Sequence, residues 1–527
     1  LLPFSYLKRE KKREESASGM MFSLHFIPIF VLLILVQIHD SMSNSAVNTS
    51  DAIDPSIEKQ AEATFGRYYR SKSNMHKIRK AMRRHHRKVA NGTRKLKGKD
   101  TKKYESRLGE MKRVSYGPGG RNGEKAEAAV NEYLYQGDIV LSEDQAESIF
   151  NESLSTPGTR TRRQAYSSKS SRWDTTKPIY VEFFNVSSAT ANLIRSSLSF
   201  WQSQTCVSFV ESTSEKPRLR FIKASGCWSL VGKSSVVSVQ DISIGSGCEY
   251  HRTISHEIGH ALGLFHHQAR PDRDSYVTIV AANIKQQYLD QYNKQSNATC
   301  NTYGVGYDVG SVMHYKQREF ASSPGLITVL AKGSGYQNSI ASNRWPSFAD
   351  VKIVNSHLCS ATCNTSLTCE NYGYTDPSNC QQCRCPSAFT GRTCGRWNQG
   401  NGLQAWTSSC GGELIATSNW NGLNISVGEE SSKVYETISN CFWVVRAPAG
   451  RTLDSWITRA PSSICTDACE TQGLRVTATT PETTGVTYCC GTADPRQLTT
   501  TSNTLIFELY SFQGISDAWV WYRLTPQ

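Results

Sequence analysis

Apolar and polar positions follow a different rhythm in each quarter of the chain. From Phe22 to Ile38 the residues are almost all apolar, broken at His25 and Pro28. The block is short for a membrane span, and Ser41 to Ser43 behind it predict a signal peptide, residues 1–43. An uncleaved anchor is the competing reading. Residues 1–19 begin without Met and read as an over-extension of the gene ahead of Met20 or Met21. Residues 44–163 are polar and free of cysteine. Periodicity starts after that. Ile179–Phe184 predicts a strand, and Ala189–Ser203 a helix with Leu193, Ile194, Leu198 and Trp201 on one side. Cys206–Val210, Leu219–Ile222 and Ser235–Val239 read as further strands, giving an α+β unit over 164–359. From 410 to 525 Thr, Val, Tyr and Trp recur with strand-turn spacing, which predicts a β-sandwich.

Composition changes this picture in two ways. A chain of 527 residues is too long for one domain. Its 17 cysteines all follow residue 200, which points to an oxidising, extracellular destination. Seven Asn-x-Ser/Thr sequons, at Asn48, Asn91, Asn151, Asn185, Asn297, Asn364 and Asn424, agree with that. The net charge of +14 suggests a polyanion partner until it is partitioned. Residues 44–163 hold 25 Lys/Arg against 15 Asp/Glu, and 164–527 hold 29 against 26. The basic excess therefore sits in the segment ahead of the folded unit, and no nucleic-acid partner is expected. The Arg67–Arg113 tract reads either as a polyanion site or, more simply, as a solvated face.

The candidate chemistry is concentrated between His256 and Asp274. His256 and His260 are four apart, so on a helix both imidazoles project from one face. Glu257 stands next to the first, placed to act as general base. Gly263 tolerates backbone angles other residues resist, so the helix can break there and bring in His266 as a third ligand. Three protein ligands with one open position is the pattern of a catalytic Zn²⁺, and the motif reads as a metzincin protease.

This motif, followed by Arg270-Pro271-Asp272-Arg273-Asp274, resembles the astacin family of zinc endopeptidases. Ser311-Val312-Met313-His314-Tyr315 is similar to that family's Met-turn. The resemblance gives Met313 the place beneath the metal and makes Tyr315 the switchable ligand that stabilises the transition state. It implies two lobes with a mixed sheet and a zinc helix, and makes Cys227–Gly232 the edge strand along which substrate lies antiparallel. Tyr135-Gln136-Gly137-Asp138 resembles the propeptide element whose aspartate occupies the metal's open position, so Asp138 is the expected latency switch. Arg160-Thr161-Arg162-Arg163 is of the kind proprotein convertases cut, after Arg163 and before Gln164. Members usually carry Glu after the third histidine to pair with the new N-terminus. His267 stands there, and an N-terminal Gln can cyclise, so an altered or absent latch is expected. Members often read an acidic residue after the scissile bond with an arginine, and the matching stretch offers Arg344 or, by strict alignment, Asn343.

Resemblance also implies the bridges Cys206–Cys359 and Cys227–Cys248. Residues 360–395 resemble an EGF-like module, implying Cys363–Cys380, Cys369–Cys383 and Cys385–Cys394. Residues 410–525 resemble a CUB domain, implying Cys410–Cys441 and Cys469–Cys490 and leaving Cys465–Cys489 as an additional bridge. Cys300 is left over, to be buried, capped or used between chains. Neither module shows its family's calcium-binding residues. The order signal, propeptide (44–163), astacin domain, EGF, CUB is similar to nematode astacins and tolloid-like proteases. It implies a secreted zymogen that binds one Zn²⁺ and cleaves extracellular protein of matrix, cuticle or procollagen type. A convertase would activate it, and the CUB domain would meet a matrix partner. The alternative is a non-catalytic extracellular binding protein.

Overall fold

Two helices, Pro55–Phe65 (α1) and Lys72–Leu96 (α2), lead the computed structural model, which describes residues 55–96, 133–151, 163–166, 168–402, 410–491 and 494–526. From Ser56 onward these residues belong to one compact unit. The expected signal segment and Arg160 to Arg162 lie outside the described residues. No helix among the described residues is long and apolar enough to cross a membrane.

The α1 helix buries Phe65, whose ring meets Trp228 edge-on at 5.2 Å. The chain returns with a strand, Ile139–Val140 (β1), and a helix, Glu143–Asn151 (α3). Arg163–Tyr166 (β2) precedes the main sheet, formed by Ile179–Phe184 (β3), Phe209–Glu211 (β4), Arg218–Ile222 (β5), Cys227–Leu230 (β6) and Val239–Ile244 (β7). The order is β1-β6-β7-β5-β3-β4, so the edge strand β6 is covered by β1 from the segment ahead of residue 163. The helix Ser188–Gln204 (α4) crosses between β3 and β4 and begins where Ser187 accepts a hydrogen bond from the Thr190 N–H. Ser235–Val239, expected as a strand, is instead mostly bent, irregular backbone, with β7 starting at Val239. The Ser234 hydroxyl accepts from the N–H groups of Val236 and Val237, which offers the backbone a local alternative to the ladder.

The helix His251–Ala261 (α5) runs under the sheet, and Val277–Ile279 (β8), Cys300–Asn301 (β9) and Val329–Ala331 (β10) belong to the lower lobe. The catalytic-domain core is built from Ile179, Ile194, Trp201, Phe221, Ile258 and Met313 among others. A last helix, Phe348–Leu358 (α6), starts with a reciprocal capping box between Ser347 and Asp350.

The disulfide-rich module holds two hairpins, Tyr374–Thr375 (β11) with Cys383–Arg384 (β12) and Phe389–Thr390 (β13) with Arg396–Trp397 (β14). The sandwich follows as Gly412–Ile415 (β15), Asn421–Val427 (β16), Ser439–Arg446 (β17), Leu453–Arg459 (β18), Gln472–Thr477 (β19), Val486–Tyr488 (β20), Asp494–Thr499 (β21), Thr504–Ser511 (β22) and Ser516–Leu524 (β23). Its sheets run β15-β17-β22-β19-β20 and β16-β23-β18-β21.

Cysteine pairing is Cys206–Cys359, Cys227–Cys248, Cys363–Cys380, Cys369–Cys383, Cys385–Cys394 and Cys410–Cys441. The last two bridges differ from expectation. Cys465 joins Cys490 and Cys469 joins Cys489, in place of Cys469–Cys490 and Cys465–Cys489. Adjacent residues at a strand end face opposite ways. Cys489 points inward to the buried Cys469, while Cys490, at φ 63°, turns out to the half-buried Cys465. Cys300 is unpaired and fully buried, and burial pushes its thiol well above the ordinary range, which leaves it inert.

Candidate active site

The α5 helix brings His256 and His260 to one face, as the spacing requires. The chain breaks at Gly263, where φ is 109° and a Cβ would lie 2.8 Å from the His357 imidazole. That turn delivers His266 to the other two rings. Below them Met313 is fully buried, its Sδ 2.8 Å from where a Cβ on Gly259 would be. A larger residue at 259 would push the helix off the Met-turn.

Each imidazole uses Nδ1 to donate to an oxygen. His256 donates to the Val312 carbonyl at 2.8 Å, His260 to the Leu264 carbonyl at 2.7 Å, and His266 to Oε1 of Gln136 at 3.0 Å. Burial lowers the pKa of His256 and pulls that of His266 down to about 4, so both rings are neutral. Their Nε2 atoms are then bare lone pairs. The Nε2 atoms of all three rings converge on the Asp138 carboxylate, at 3.2, 3.6 and 3.0 Å from His256, His260 and His266. Imidazole lone pairs facing a carboxylate repel it unless a cation lies among them. The four ligand atoms lie within 4.8 Å of one another. Nitrogen and oxygen donors in this arrangement fit Zn²⁺.

Glu257 is 1% exposed, and its Oε2 has no hydrogen-bond partner. Burial, then the Asp138 charge, raises its pKa well above the ordinary carboxylate range. Tyr315 donates its hydroxyl to the Gln136 carbonyl at 2.5 Å, and its own N–H is held by Gln268. Gly137, at φ 83°, passes where a Cβ would lie 3.3 Å from Phe320. Beyond Asp138, β1 pairs with β6 in parallel, Ile139 opposite Ser229 and Val140 opposite Leu230.

The family model for Astacin, a peptidase family, matches residues 165–359. Zinc metalloproteinase nas-28 of Caenorhabditis elegans is 34% identical over 389 residues, covering 72% of this chain and 77% of that protein. The chain belongs to the astacin family. Zinc metalloproteinase nas-34 from the same organism is 37% identical over 351 residues, and the match spans 63% of this chain but only 54% of that protein's length. Zinc metalloproteinase dpy-31, also of Caenorhabditis elegans, is 31% identical, with 72% of this chain and 64% of its own length covered. Among solved structures, the hatching enzyme HCE-1 of Oryzias latipes is 28% identical over 37% of this chain and 97% of its own, at a TM-score of 0.33.

Two expected features of this astacin stand elsewhere. Arg344, expected in the substrate pocket, lies with its guanidinium 4.4 Å over the ring of Phe512 in the sandwich. Asn343 donates to Thr484 Oγ1 and accepts from Arg475, both at 2.9 Å. Stacking and amide pairing thus commit both side chains to the C-terminal domain. His267, in the place of the usual Glu, is fully buried and accepts the Asp308 N–H at 2.9 Å. Burial, helped by Arg270 and His314, holds its pKa well below the ordinary histidine range. β2 pairs with β9, and the Tyr166 N–H donates to the Gly263 carbonyl, so the residues just after Gln164 are seated in the domain. Gln136 and Gln268 were not singled out from the sequence. A glutamine carries no motif, and only the fold shows which imidazole or N–H it meets.

Proposed function

We propose that this chain is the zymogen of a secreted zinc metalloendopeptidase acting on extracellular protein. The observation that carries the reading is the convergence of three imidazole Nε2 atoms and one carboxylate beside a buried glutamate. His256, His260 and His266 would hold the ion, which when bound polarises the scissile carbonyl and acidifies a water. Glu257, raised by burial, takes the water's proton and passes it to the leaving amine. Tyr315, freed from the Gln136 carbonyl, donates its hydroxyl to the oxyanion. The edge of β6 binds the substrate main chain antiparallel.

Latency follows from the same groups. Asp138 stands where the reactive water belongs, Gln136 occupies His266 and Tyr315, and β1 covers β6. Because β1 runs parallel to β6, it travels opposite to an antiparallel substrate. Cleavage at Arg163 by a convertase releases this cover, and the buried His267 suggests that no charged latch to the new N-terminus is needed. Substrate pocket residues are best sought on the side that Gln136 and Gly137 occupy, where Gln291, Asn293 and Phe320 lie against them. Sequons and disulfides agree with passage through the secretory pathway.

The test is Glu257→Ala in the activated protein. It should keep one zinc per chain by metal analysis and lose peptidase activity by orders of magnitude. A zinc-bound variant with wild-type turnover overturns the assignment.

A further inference from the structure

The outer face of the sandwich's four-stranded sheet carries large aromatic groups that its interior does not use. Along β23, Ala518, Val520 and Tyr522 are buried, so Asp517, Trp519 and Trp521 face outward. Trp456 of β18 is paired with Trp521, and Trp456 and Trp519 remain 43% and 46% exposed. Trp521 is fixed by its Nε1–H, which donates to Thr458 at 3.3 Å, and its ring reaches across to β16. A Cβ on Gly422 would lie 2.8 Å from that ring. The charged groups of the face close on one another. Arg459 pairs with Asp517 at 2.7 Å, and Arg523 with Asp454 at 3.3 Å. Among the described side chains, what remains is apolar, flat and uncharged, which suits a neutral ligand with a flat C–H face rather than a charged peptide.

The same face holds a covalent anchor for such a ligand. Asn424 is exposed, directly opposite Trp519 and two residues along β16 from Gly422. It begins the sequon Asn424-Ile425-Ser426. We propose that Asn424 carries an N-linked glycan whose first N-acetylglucosamine lies across Trp519 and Trp521, covering this face with a sugar of the protein's own. The proposal rests on the secretory reading above.

In the transfer, Asn424 Nδ2 forms a bond to the anomeric carbon of an oligosaccharide carried on a polyisoprenoid diphosphate. The anomeric C–O bond breaks, the lipid diphosphate leaves, and one amide proton is lost. Ser426 is only 4% exposed once folded, so the transfer takes place on the nascent chain.

The test uses the full chain secreted by eukaryotic cells. Site-resolved glycopeptide mass spectrometry should find Asn424 occupied. Hydroxyl-radical footprinting should then show Trp519 and Trp521 oxidised several-fold faster in Asn424→Gln, in Ser426→Ala and in wild type stripped by an endoglycosidase. Trp456, farther from the anchor, should change less. Asn424 bare while Asn185 or Asn364 carries glycan overturns the proposal alone, and so does an occupied Asn424 with unchanged oxidation of both tryptophans. Every sequon bare would overturn the secretory reading as well. Protection that persists in Asn424→Gln and grows with protein concentration would assign the face to a second copy of the chain and overturn the glycan.

Discussion

Two surfaces are laid against the catalytic domain, and they engage different kinds of groups. The segment around Asp138 meets groups that chemistry needs: the histidine Nε2 atoms, the Tyr315 hydroxyl and the open edge of β6. The sandwich meets groups that chemistry does not use. Glu482 accepts the Gly306 N–H, Asp308 accepts that of Thr484, and Ser339 bonds Gly485 and Thr487. Arg475 bridges Glu508 and Asn343, and Asp467 and Glu470 pair with Arg318 and Lys316 just beyond Tyr315. On the function proposed above, removing the first surface would free a reactive site. Removing the second would strand buried polar groups, which is costly. On that proposal one cover leaves and the other stays.

That difference predicts separate outcomes. The largest effect on stability is expected for Arg475→Ala. It leaves the buried Glu508, which keeps only its bond from Asn440, without its counter-charge and should cost about 3–5 kcal/mol by chemical denaturation, with the uncut chain still inactive. Activity appearing in the uncut variant would mean that the sandwich also enforces latency, and the distinction would dissolve.

Acid sharpens the comparison because it acts inside the catalytic domain, at the buried His357, rather than on either surface. Burial lowers the pKa of His357 to about 3, below its unfolded value. The stability this neutral ring contributes is present above about pH 6.5 and is lost as pH falls toward 3. His357→Gln, which can still bond Tyr303, should remove about 1–3 kcal/mol of that acid-induced loss. An unchanged pH profile of stability would show that the ring is not held neutral.

The smallest effect belongs to Gln136→Leu. It deletes the bonds to His266 and the Asn293 carbonyl, about 1–2 kcal/mol of the cover. The uncut chain should leak activity several-fold while thermal stability of the sandwich is unchanged. A variant as silent as wild type would place the whole of latency on Asp138 and β1.

Much of this was legible in the chain, and the limits have physical causes. The three histidines, Glu257 and Gly263 lie within eleven residues of each other, so helix geometry alone relates them. Met313, Tyr315 and Asp138 needed a family resemblance, because nothing local tells how a turn about fifty residues on, or a segment more than a hundred residues ahead, returns to the helix. The Cys465–Cys490 and Cys469–Cys489 pairing was missed since neighbouring cysteines are equivalent until the strand's pleat separates them. Arg344 was misplaced for a related reason. Its stacking partner Phe512 lies far along the chain in another domain, and no spacing within residues 340–348 could reveal it. The Ser235–Val239 strand failed because one serine hydroxyl outweighed the β-propensity of its neighbours.

On the proposed function, Asp138 keeps an otherwise complete zinc peptidase silent. The most direct test of that central claim is the uncut chain carrying Asp138→Ala, with Arg163→Ser added so that convertase cleavage cannot supply activity. On a short fluorogenic peptide this protein should turn over at least about ten-fold faster than the Arg163→Ser chain alone, the equivalent of one charged contact. A zinc-loaded double variant as inactive as that control would contradict the claim.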